Sequence, residues 1–368
     1  MTPIVFLITK SEVGGAQRFV REQIAILAQT DQYRLYLVTN QPGWLVETTI
    51  GDVAGVWTDR RLERPTSLGY LLALTQYLRR VGAGLVVCNS AYAGVYGRLA
   101  ARWLKIPAVY VSHGWSSVYR GGRTAGLLNA IERQLARLSA AVWCVSDNDY
   151  AVARQRIGIP APKLLTVSNA IFAPTDHATV PALQADERFR VVTVTRLTFP
   201  QKRVDLLIEA VAGMSDVDLF VVGTGAHRSR IEAQVQARNA PNVKLLGEIP
   251  NFNGFGEYHA FALISDGEGL PLSALEALAH GLPVVVSDVG GCPALVADCG
   301  ALVQNDVAAI QAGIAACRQH HAAYARAARQ HFESHFDLTR RAGEFLGIYE
   351  GIVGNGRLGS SRVAEREA

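Results

Sequence analysis

The chain alternates short apolar runs rich in β-branched residues with stretches of helical apolar spacing, and this alternation constrains its fold more than any other feature. The opening unit shows the pattern: "PIVFLIT", then the flexible "KSEVGGA", then "QRFVREQIAILAQ" with apolar residues at helical spacing. "YRLYLVT", "GLVVCNS", "PAVYVS" and "AAVWCVS" continue the series as short buried strands, with helical stretches such as "SLGYLLALTQYLRRV" between them. Strands that alternate with helices build a parallel sheet covered on both faces. Around residues 171–189 the periodicity stops and Pro174 and Pro181 interrupt the chain, which marks an interdomain linker. A second series follows: "FRVVTVTRL", "DLFVVGTG", "NVKLLGEI", "FALISDGE", "LPVVVSD" and "GALV".

The expected architecture is therefore α/β, with two Rossmann-like, doubly wound, parallel-sheet domains. The first covers residues 1–172, a linker 173–188 and the second 189–337. A helix over 338–353 is expected to pack back across the cleft between them, and the polar, glycine-rich 354–368 to fray. Ligands of open α/β sheets bind beyond the carboxyl ends of the strands, so two such sheets facing each other place a ligand in the cleft.

Composition narrows the setting. The start "MTPIVFLITK" has no basic region ahead of its apolar stretch, and no uncharged apolar run reaches bilayer-spanning length, so neither secretion nor membrane spanning is expected. Five dispersed cysteines without CxxC spacing suggest neither a disulfide framework nor a zinc cage, and read as reduced core residues in the cytoplasm. The net charge of +4 hides an asymmetry: residues 1–172 carry 19 Lys/Arg against 10 Asp/Glu, and residues 173–368 carry 17 against 22. A basic N-terminal half suits nucleic acid, an anionic membrane surface or a phosphorylated acceptor, or reflects scattered solvating arginines.

The chemistry concentrates in "SDGEGLPLSALEALAHGLPVVVSD", residues 265–288. "FALIS" reads as a buried strand, "DGEGLP" as the loop at its carboxyl end, and "LSALEALAH" as a helix with Pro271 in its first turn and Gly281 as its stop. The amides of Leu270, Leu272 and Ser273 then face the cleft, where a helix N-terminus favours a phosphate. Glu268 on the loop is placed to accept from sugar hydroxyls and Glu276 to reach a ribose, because a carboxylate can accept from two adjacent hydroxyls. The bland alternative keeps Glu268 as a loop carboxylate and Glu276 as a solvated helix residue.

The pattern S-x-x-E-G-x-P-x(4)-E-A, here Ser265, Glu268, Gly269, Pro271, Glu276 and Ala277, followed by "HGLPVVVSDVGG", resembles the retaining glycosyltransferases of family 4, which have the GT-B fold. The resemblance runs from "GGAQRFV" to about residue 350. It implies that Arg196, at a strand end, and Lys202, just before a helix, neutralise the leaving nucleoside diphosphate, although Thr195 and Arg203 stand where glycines are common in the family. It implies that His113, in "VYVSHGW", lies against the donor sugar and supports charge in an oxocarbenium-like transition state. It also places Gly14 and Gly15 beside phosphate or acceptor, Gly223 and Gly225 beside the nucleotide, and Glu248 and Ile249 at the base.

Other letter matches carry less. "DND" at 147–149 and "DVD" at 216–218 resemble metal-binding DxD, but one begins a helix and the other precedes a strand. His331 and His335 have zinc-ligand spacing without a third ligand nearby, and read as a solvated helix face. No GxGxxG follows the first strand, which argues against a nicotinamide cofactor.

The implied reaction moves a sugar from a UDP- or GDP-sugar to an acceptor hydroxyl with retention of configuration. No metal or other cofactor is expected, and front-face attack is favoured because no carboxylate stands out as a nucleophile. The acceptor, a glycan or a polyprenyl-diphosphate-linked oligosaccharide, is expected on the N-terminal domain. There "RRLERP" (Arg60, Arg61, Arg64) and "YRGGR" (Arg120, Arg123) suit a lipid diphosphate at the inner membrane face, and nucleic acid is not expected as a partner. The chain is thus expected in the cytoplasm, peripheral on the membrane, in surface-polysaccharide assembly. Two rivals share the architecture: a nucleotide-sugar 2-epimerase and a non-catalytic sugar-nucleotide binder.

Overall fold

The computed structural model describes residues 1–119, 122–174, 180–184 and 186–355. Arg120, residues 175–179 and 185 of the expected linker and nearly all of the expected tail lie outside the described residues. The chain forms two compact units: Met1–Asn169 joined by the segment from Arg341 onward, and Ala170–Arg340.

The first unit is built on a parallel sheet of seven strands: β1 (Thr2–Leu7), β2 (Tyr33–Thr39), β3 (Gly55–Thr58), β4 (Leu85–Cys88), β5 (Ala108–Ser112), β6 (Ala141–Cys144) and β7 (Leu164–Thr166). Their order is β3-β2-β1-β4-β5-β6-β7. Five correspond to the apolar runs read from the sequence. The two edge strands, β3 and β7, were not legible: each is short, and β3 is only half-buried, so its residues lack the continuous apolar run that marks a central parallel strand.

Helices cover both faces of this sheet. Residues 68–80, 91–104 and 125–136 pack on one face, sharing a core with Val5, Val86 and Tyr110 of the strands. Gly97 of the middle helix allows the closest approach, because a Cβ there would fall 2.4 Å from Cys88 Sγ. On the other face Phe19 meets Trp143 edge-on, and Trp143 packs against Phe345 and Tyr349 of the C-terminal helix, Leu338–Asn355. Tyr349 also donates to Gln23 Oε1 at 3.1 Å. From Arg341 that helix is thus part of the first unit, which its aromatic residues explain.

The second unit carries a six-stranded parallel sheet: β8 (Phe189–Val194), β9 (Val217–Val222), β10 (Val243–Gly247), β11 (Ala260–Leu263), β12 (Val284–Ser287) and β13 (Gly300–Val303). Its order, β10-β9-β8-β11-β12-β13, repeats the doubly wound pattern of the first. Val191, Leu219, Ala262 and Val285 of the strands share a core with Leu207 and Ile208 of helix 204–212 and Ile310 and Ile314 of helix 307–319. In each sheet the strand order reverses once, between β1 and β4 and between β8 and β11. There the connections leave to opposite faces and open a crevice beyond the strand ends.

Candidate functional site

The switch point of the second sheet holds the two charges that the sequence singled out. Lys202 lies in the loop after β8 and Glu268 in the loop after β11, and the Lys202 ammonium donates to Glu268 Oε1. The same oxygen accepts from Ser265 Oγ at 2.5 Å, and Glu268 is only 6% exposed. The two loops are also joined through backbone: Lys202 bridges Ser265, Arg203 N–H donates to Ile264 O at 2.9 Å and Asp266 N–H to Gln201 O at 2.8 Å. Arg203, where the family commonly has glycine, pairs with Asp205 at 3.0 Å and Asp266 at 3.3 Å, so its side chain fastens the loop.

Glu268 is positioned from further away by residues the sequence reading passed over. Asn305, just beyond β13, donates to Ser265 O at 2.9 Å and Asp266 Oδ1 at 2.8 Å. Its Oδ1 accepts from Ser287 Oγ at 2.6 Å, and Ser287 Oγ accepts from Ser265 N–H at 2.9 Å. Both backbone polar groups of Ser265 are therefore held by the ends of β12 and β13. Gly290 completes the support: at φ +58° a Cβ there would sit 1.8 Å from Glu268 O. The glycine pair in "VSDVGG" was the sequence signal for this contact; nothing in the sequence pointed to Asn305.

The helix after this loop is Leu272–Ala279, with Pro271 as its N-cap at φ −71° and ψ 120°. The sequence expectation put Pro271 inside the first turn. The structure moves it one residue out, because its carbonyl already accepts from Ala274 and Leu275 N–H while its own ψ is extended. The first helical amides are those of Leu272 and Ser273, which have no partner within the helix. Ser273 and Glu276, three residues apart, are both half-buried on one helix face. Gly269 carries a structural bond, its carbonyl accepting from Gly291 N–H at 2.8 Å, and Leu270 is buried beside it. At the far end Gly281, at φ +80°, donates to Leu278 O while Leu282 N–H reaches Ala277 O, the paired bonds of a left-handed helix stop.

Arg196 is exposed near the start of the loop after β8. Its backbone is fixed by the neighbouring loop after β9. Thr195 N–H donates to Val222 O and Leu197 N–H to Thr224 O, both at 3.0 Å, and His227 N–H returns to Leu197 O at 3.1 Å. Gly223 and Gly225 allow this interlocking: a Cβ on Gly223 would fall 1.9 Å from Thr195 O, and one on Gly225 2.5 Å from Leu197 O. Their requirement for glycine comes from the loop that bears Arg196. Glu248 and Ile249 follow β10 and are exposed; Gly247, just before them, accepts from Gly223 N–H at 2.6 Å.

In the first unit the switch point joins the loops after β1 and β4, where Thr9 Oγ1 and Ser90 Oγ are hydrogen-bonded at 2.6 Å. Gly14 caps helix 15–28 with extended backbone, and Gly15 opens it; a Cβ on Gly15 would meet no atom within 4 Å. His113 follows β5, with Nε2 3.4 Å from Asn89 Oδ1 and the Phe19 ring 5.0 Å away, edge-on. Burial pushes its pKa down to about 4, so the ring is neutral at pH 7.

The discounted motifs have structural roles. Asp147 begins a short helix, while Asp149 is buried with Oδ2 unpartnered among the described residues, and burial pushes its carboxyl up to about 7. Asp218 lies within β9 rather than before it and pairs with Arg188 at 2.9 Å, and Asp216 pairs with Arg318. His331 is more than a solvated residue, since its Nε2 bonds the Ala294 carbonyl at 2.7 Å. Among the described residues no three His, Cys, Asp or Glu side chains are grouped to hold a metal.

Comparison with known proteins identifies the fold and the family. Residues 13–172 match the profile of Glycosyltransferase Family 4 and residues 188–320 that of Glycosyl transferases group 1. The O-antigen biosynthesis glycosyltransferase WbnH of Escherichia coli is 36% identical over 306 residues, covering 83% of this chain and 87% of that protein. A UDP-Gal:alpha-D-GlcNAc-diphosphoundecaprenol alpha-1,3-galactosyltransferase of the same species is 23% identical over 313 residues, 77% of this chain and 79% of that one. Among solved structures, sucrose-phosphate synthase from Thermosynechococcus elongatus superposes with a TM-score of 0.82 at 19% identity, covering 96% of this chain and 100% of the other. Anabaena HepE in complex with UDP and glucose gives 0.79 at 20% identity, covering 94% and 99%. The fold is GT-B, and the chain belongs to Glycosyltransferase Family 4 and is a glycosyltransferase.

Proposed function

We propose that this glycosyltransferase moves a sugar from a nucleotide-sugar donor, with retention of configuration, to a hydroxyl of a polyprenyl-diphosphate-linked oligosaccharide in O-antigen-type polysaccharide assembly. The observation that carries the reading is the convergence of Lys202, Glu268 and Ser265 at the switch point of the second sheet, beside the start of helix 272–279. Lys202 and the amides of Leu272 and Ser273 meet the diphosphate, with Arg196 as a second cation. A diphosphate oxygen competes with Glu268 for the Lys202 ammonium, which leaves the carboxylate to accept from sugar hydroxyls. Glu276 accepts from the ribose diol, and the strand-end residues Glu248 and Ile249 meet the base.

In the transfer, the bond from the anomeric carbon to the diphosphate oxygen breaks and one to the acceptor oxygen forms on the same face. The acceptor proton passes to the departing phosphate oxygen. The two cations and the helix-end amides stabilise the charge that develops there, so the reading needs no metal. Neutral His113 in the first unit supports the positive character of the sugar ring, and Gly15, with open space at its Cβ, lets phosphate or acceptor come close to the backbone. The choice of acceptor rests on the names of the two Escherichia coli relatives and on the basic excess of the first unit, and a membrane-held acceptor places the protein peripherally on the inner membrane face. A UDP-sugar is the first donor to try, since one relative's name specifies UDP-Gal and the HepE structure holds UDP.

Incubation with a panel of UDP- and GDP-sugars, with and without polyprenyl-diphosphate sugars, tests this. Donor is expected to be consumed only when acceptor is present. Epimerised donor without acceptor supports a 2-epimerase instead, and donor bound but unchanged in every mixture supports a non-catalytic binder. Glu268→Gln is expected to lower turnover by about 10²–10³-fold while UDP binding changes little, whereas Lys202→Ala weakens both. Unaltered kinetics in both variants would sink the site assignment.

A further inference from the structure

Asn89 stands at the carboxyl ends of three neighbouring strands of the first sheet, β1, β4 and β5, and its side chain faces His113. It follows β4, and its N–H donates to Leu7 O of β1 at 2.8 Å. The next residue, Ser90, accepts from Thr9 N–H at 3.0 Å, so the loops after β1 and β4 hold this backbone between them. Cys88, the last residue of β4, faces the core of helices 68–80 and 91–104. Successive residues along a strand face opposite sides, and Asn89 turns to the other one, where Phe19 and His113 lie.

His113 is held on both sides of its own backbone. It follows β5, and Gly114 at φ +107° turns the chain directly after it. Trp115, 3% exposed, then donates its indole Nε1–H to Asp149 O at 2.8 Å. The ring itself stands edge-on to Phe19 at 5.0 Å, with Nε2 3.4 Å from Asn89 Oδ1.

The direction of that last contact follows from the other end of the amide. Asn89 is 1% exposed, and its Nδ2 donates to Val87 O at 3.2 Å. A reversed amide would set Oδ1 against the Val87 carbonyl, two acceptors facing each other away from water, which buried polar groups avoid. Oδ1 is therefore the atom that meets His113, and an oxygen that only accepts requires the hydrogen on Nε2. Loss of water lowers the His113 pKa to about 4 with no charged side chain contributing, so at pH 7 the ring carries one hydrogen and Nδ1 keeps its lone pair. Nδ1 has no hydrogen-bond partner among the described residues and is not one of their buried unpartnered atoms, so it opens to solvent.

We propose that Asn89 is a positioning residue that holds His113 as the Nε2–H tautomer and thereby makes Nδ1 an acceptor for a substrate hydroxyl. The ring hydrogen is engaged with Asn89, so His113 has none to give to the departing phosphate. An acceptor facing the sugar suits the positive character that develops on the sugar ring, whereas an N–H there would oppose it. The inference rests on the reading that His113 lies beside the transferred sugar, and it specifies which ring nitrogen meets substrate.

The test is nitrogen-15 NMR of the full chain with labelled histidine, the His113 signals being identified by their loss in His113→Asn. The wild type without ligand is expected to show the Nε2–H tautomer at pH 7, with slow exchange of that hydrogen. Asn89→Leu is expected to speed the exchange at least about tenfold and to populate the other tautomer. It is also expected to lower kcat about tenfold, in the mixture of UDP-sugar and polyprenyl-diphosphate sugar that the wild type turns over, with UDP affinity unchanged. Asn89→Asp keeps an acceptor in place, so it is expected to retain the Nε2–H form and recover part of kcat, while its carboxylate raises the titration midpoint of the ring above about 4. Melting curves show whether each variant folds, and the wild-type spectrum decides the tautomer without any of them. The proposal is overturned if the wild type carries its hydrogen on Nδ1, if Asn89→Leu leaves tautomer, exchange and kcat as in the wild type, or if Asn89→Asp behaves as Asn89→Leu does. Transfer by a wild type with the hydrogen on Nδ1 removes the role of Asn89 alone. The Nε2–H form without transfer from any donor mixture removes the reading of the reaction, and with it the substrate hydroxyl.

Discussion

His113 shows how a single residue's environment decides its chemistry. The sequence placed it after an apolar strand, in "VYVSHGW", and the family resemblance implied a place against the donor sugar. In the fold the half-buried ring stands edge-on to Phe19, and loss of water around it pushes its pKa down to about 4. The unfolded chain, with an ordinary histidine, binds a proton between about pH 6.5 and 4 that the folded state refuses. Its contribution to stability is therefore complete above pH 6.5 and lost as the pH falls toward 4. The ring-proton NMR titration of His113 is expected to have its midpoint near 4, and the loss of melting temperature over that acid window is expected to shrink in His113→Asn. Lys202 and Glu268 were legible as residue types at a motif spacing. That they bond each other was not, because their 66-residue separation is closed only by the β8–β11 pairing.

At the scale of elements, the glycines of the two units separate into different physical cases. Gly223, at φ +140°, leaves no room for a Cβ beside Thr195 O. Gly223→Ala is expected to destabilise the protein by on the order of 2–3 kcal/mol, read from urea unfolding, and to displace Arg196. Gly15 has ordinary helical backbone and open space, so Gly15→Ala is expected to keep or raise stability by up to about 1 kcal/mol. If ligand approaches that backbone, the same substitution raises KM for donor or acceptor. A variant with wild-type kinetics removes Gly15 from the site. The sequence marked all four glycines as loop residues after strands. It did not tell packing of one loop on another from approach of a ligand, because both need a missing side chain. Asn305 illustrates the converse: its three hydrogen bonds hold Ser265, yet an asparagine after a strand has no periodicity or motif to single it out. Asn305→Ala is expected to cost about 2 kcal/mol by taking the Asn305 bonds from the Ser265 carbonyl and the Ser287 O–H, with a fall in kcat that exceeds any change in UDP affinity.

For the whole molecule, a ligand that binds only the folded state stabilises it by mass action. A nucleoside diphosphate at a hundred times its Kd is expected to add about 2.7 kcal/mol, so a thermal-shift comparison of UDP and GDP reads out the preferred base without an acceptor. No shift with either would remove the donor assignment from the second unit. The sequence by itself determined the α/β class and the central strands of both sheets, because buried parallel strands and amphipathic helices are local patterns, and the Glu-x7-Glu segment is a local pattern that marked candidate residues. It placed the change of unit at residue 172, close to Asn169, since loss of periodicity is also local. Only the tertiary structure decided that the C-terminal helix belongs to the first unit from Arg341, that β3 and β7 close the edges of its sheet, and that Asn305, Ser287 and Gly290 hold Glu268. Each of these depends on contacts between segments far apart in the chain, and such contacts leave no periodic mark on the residues that make them.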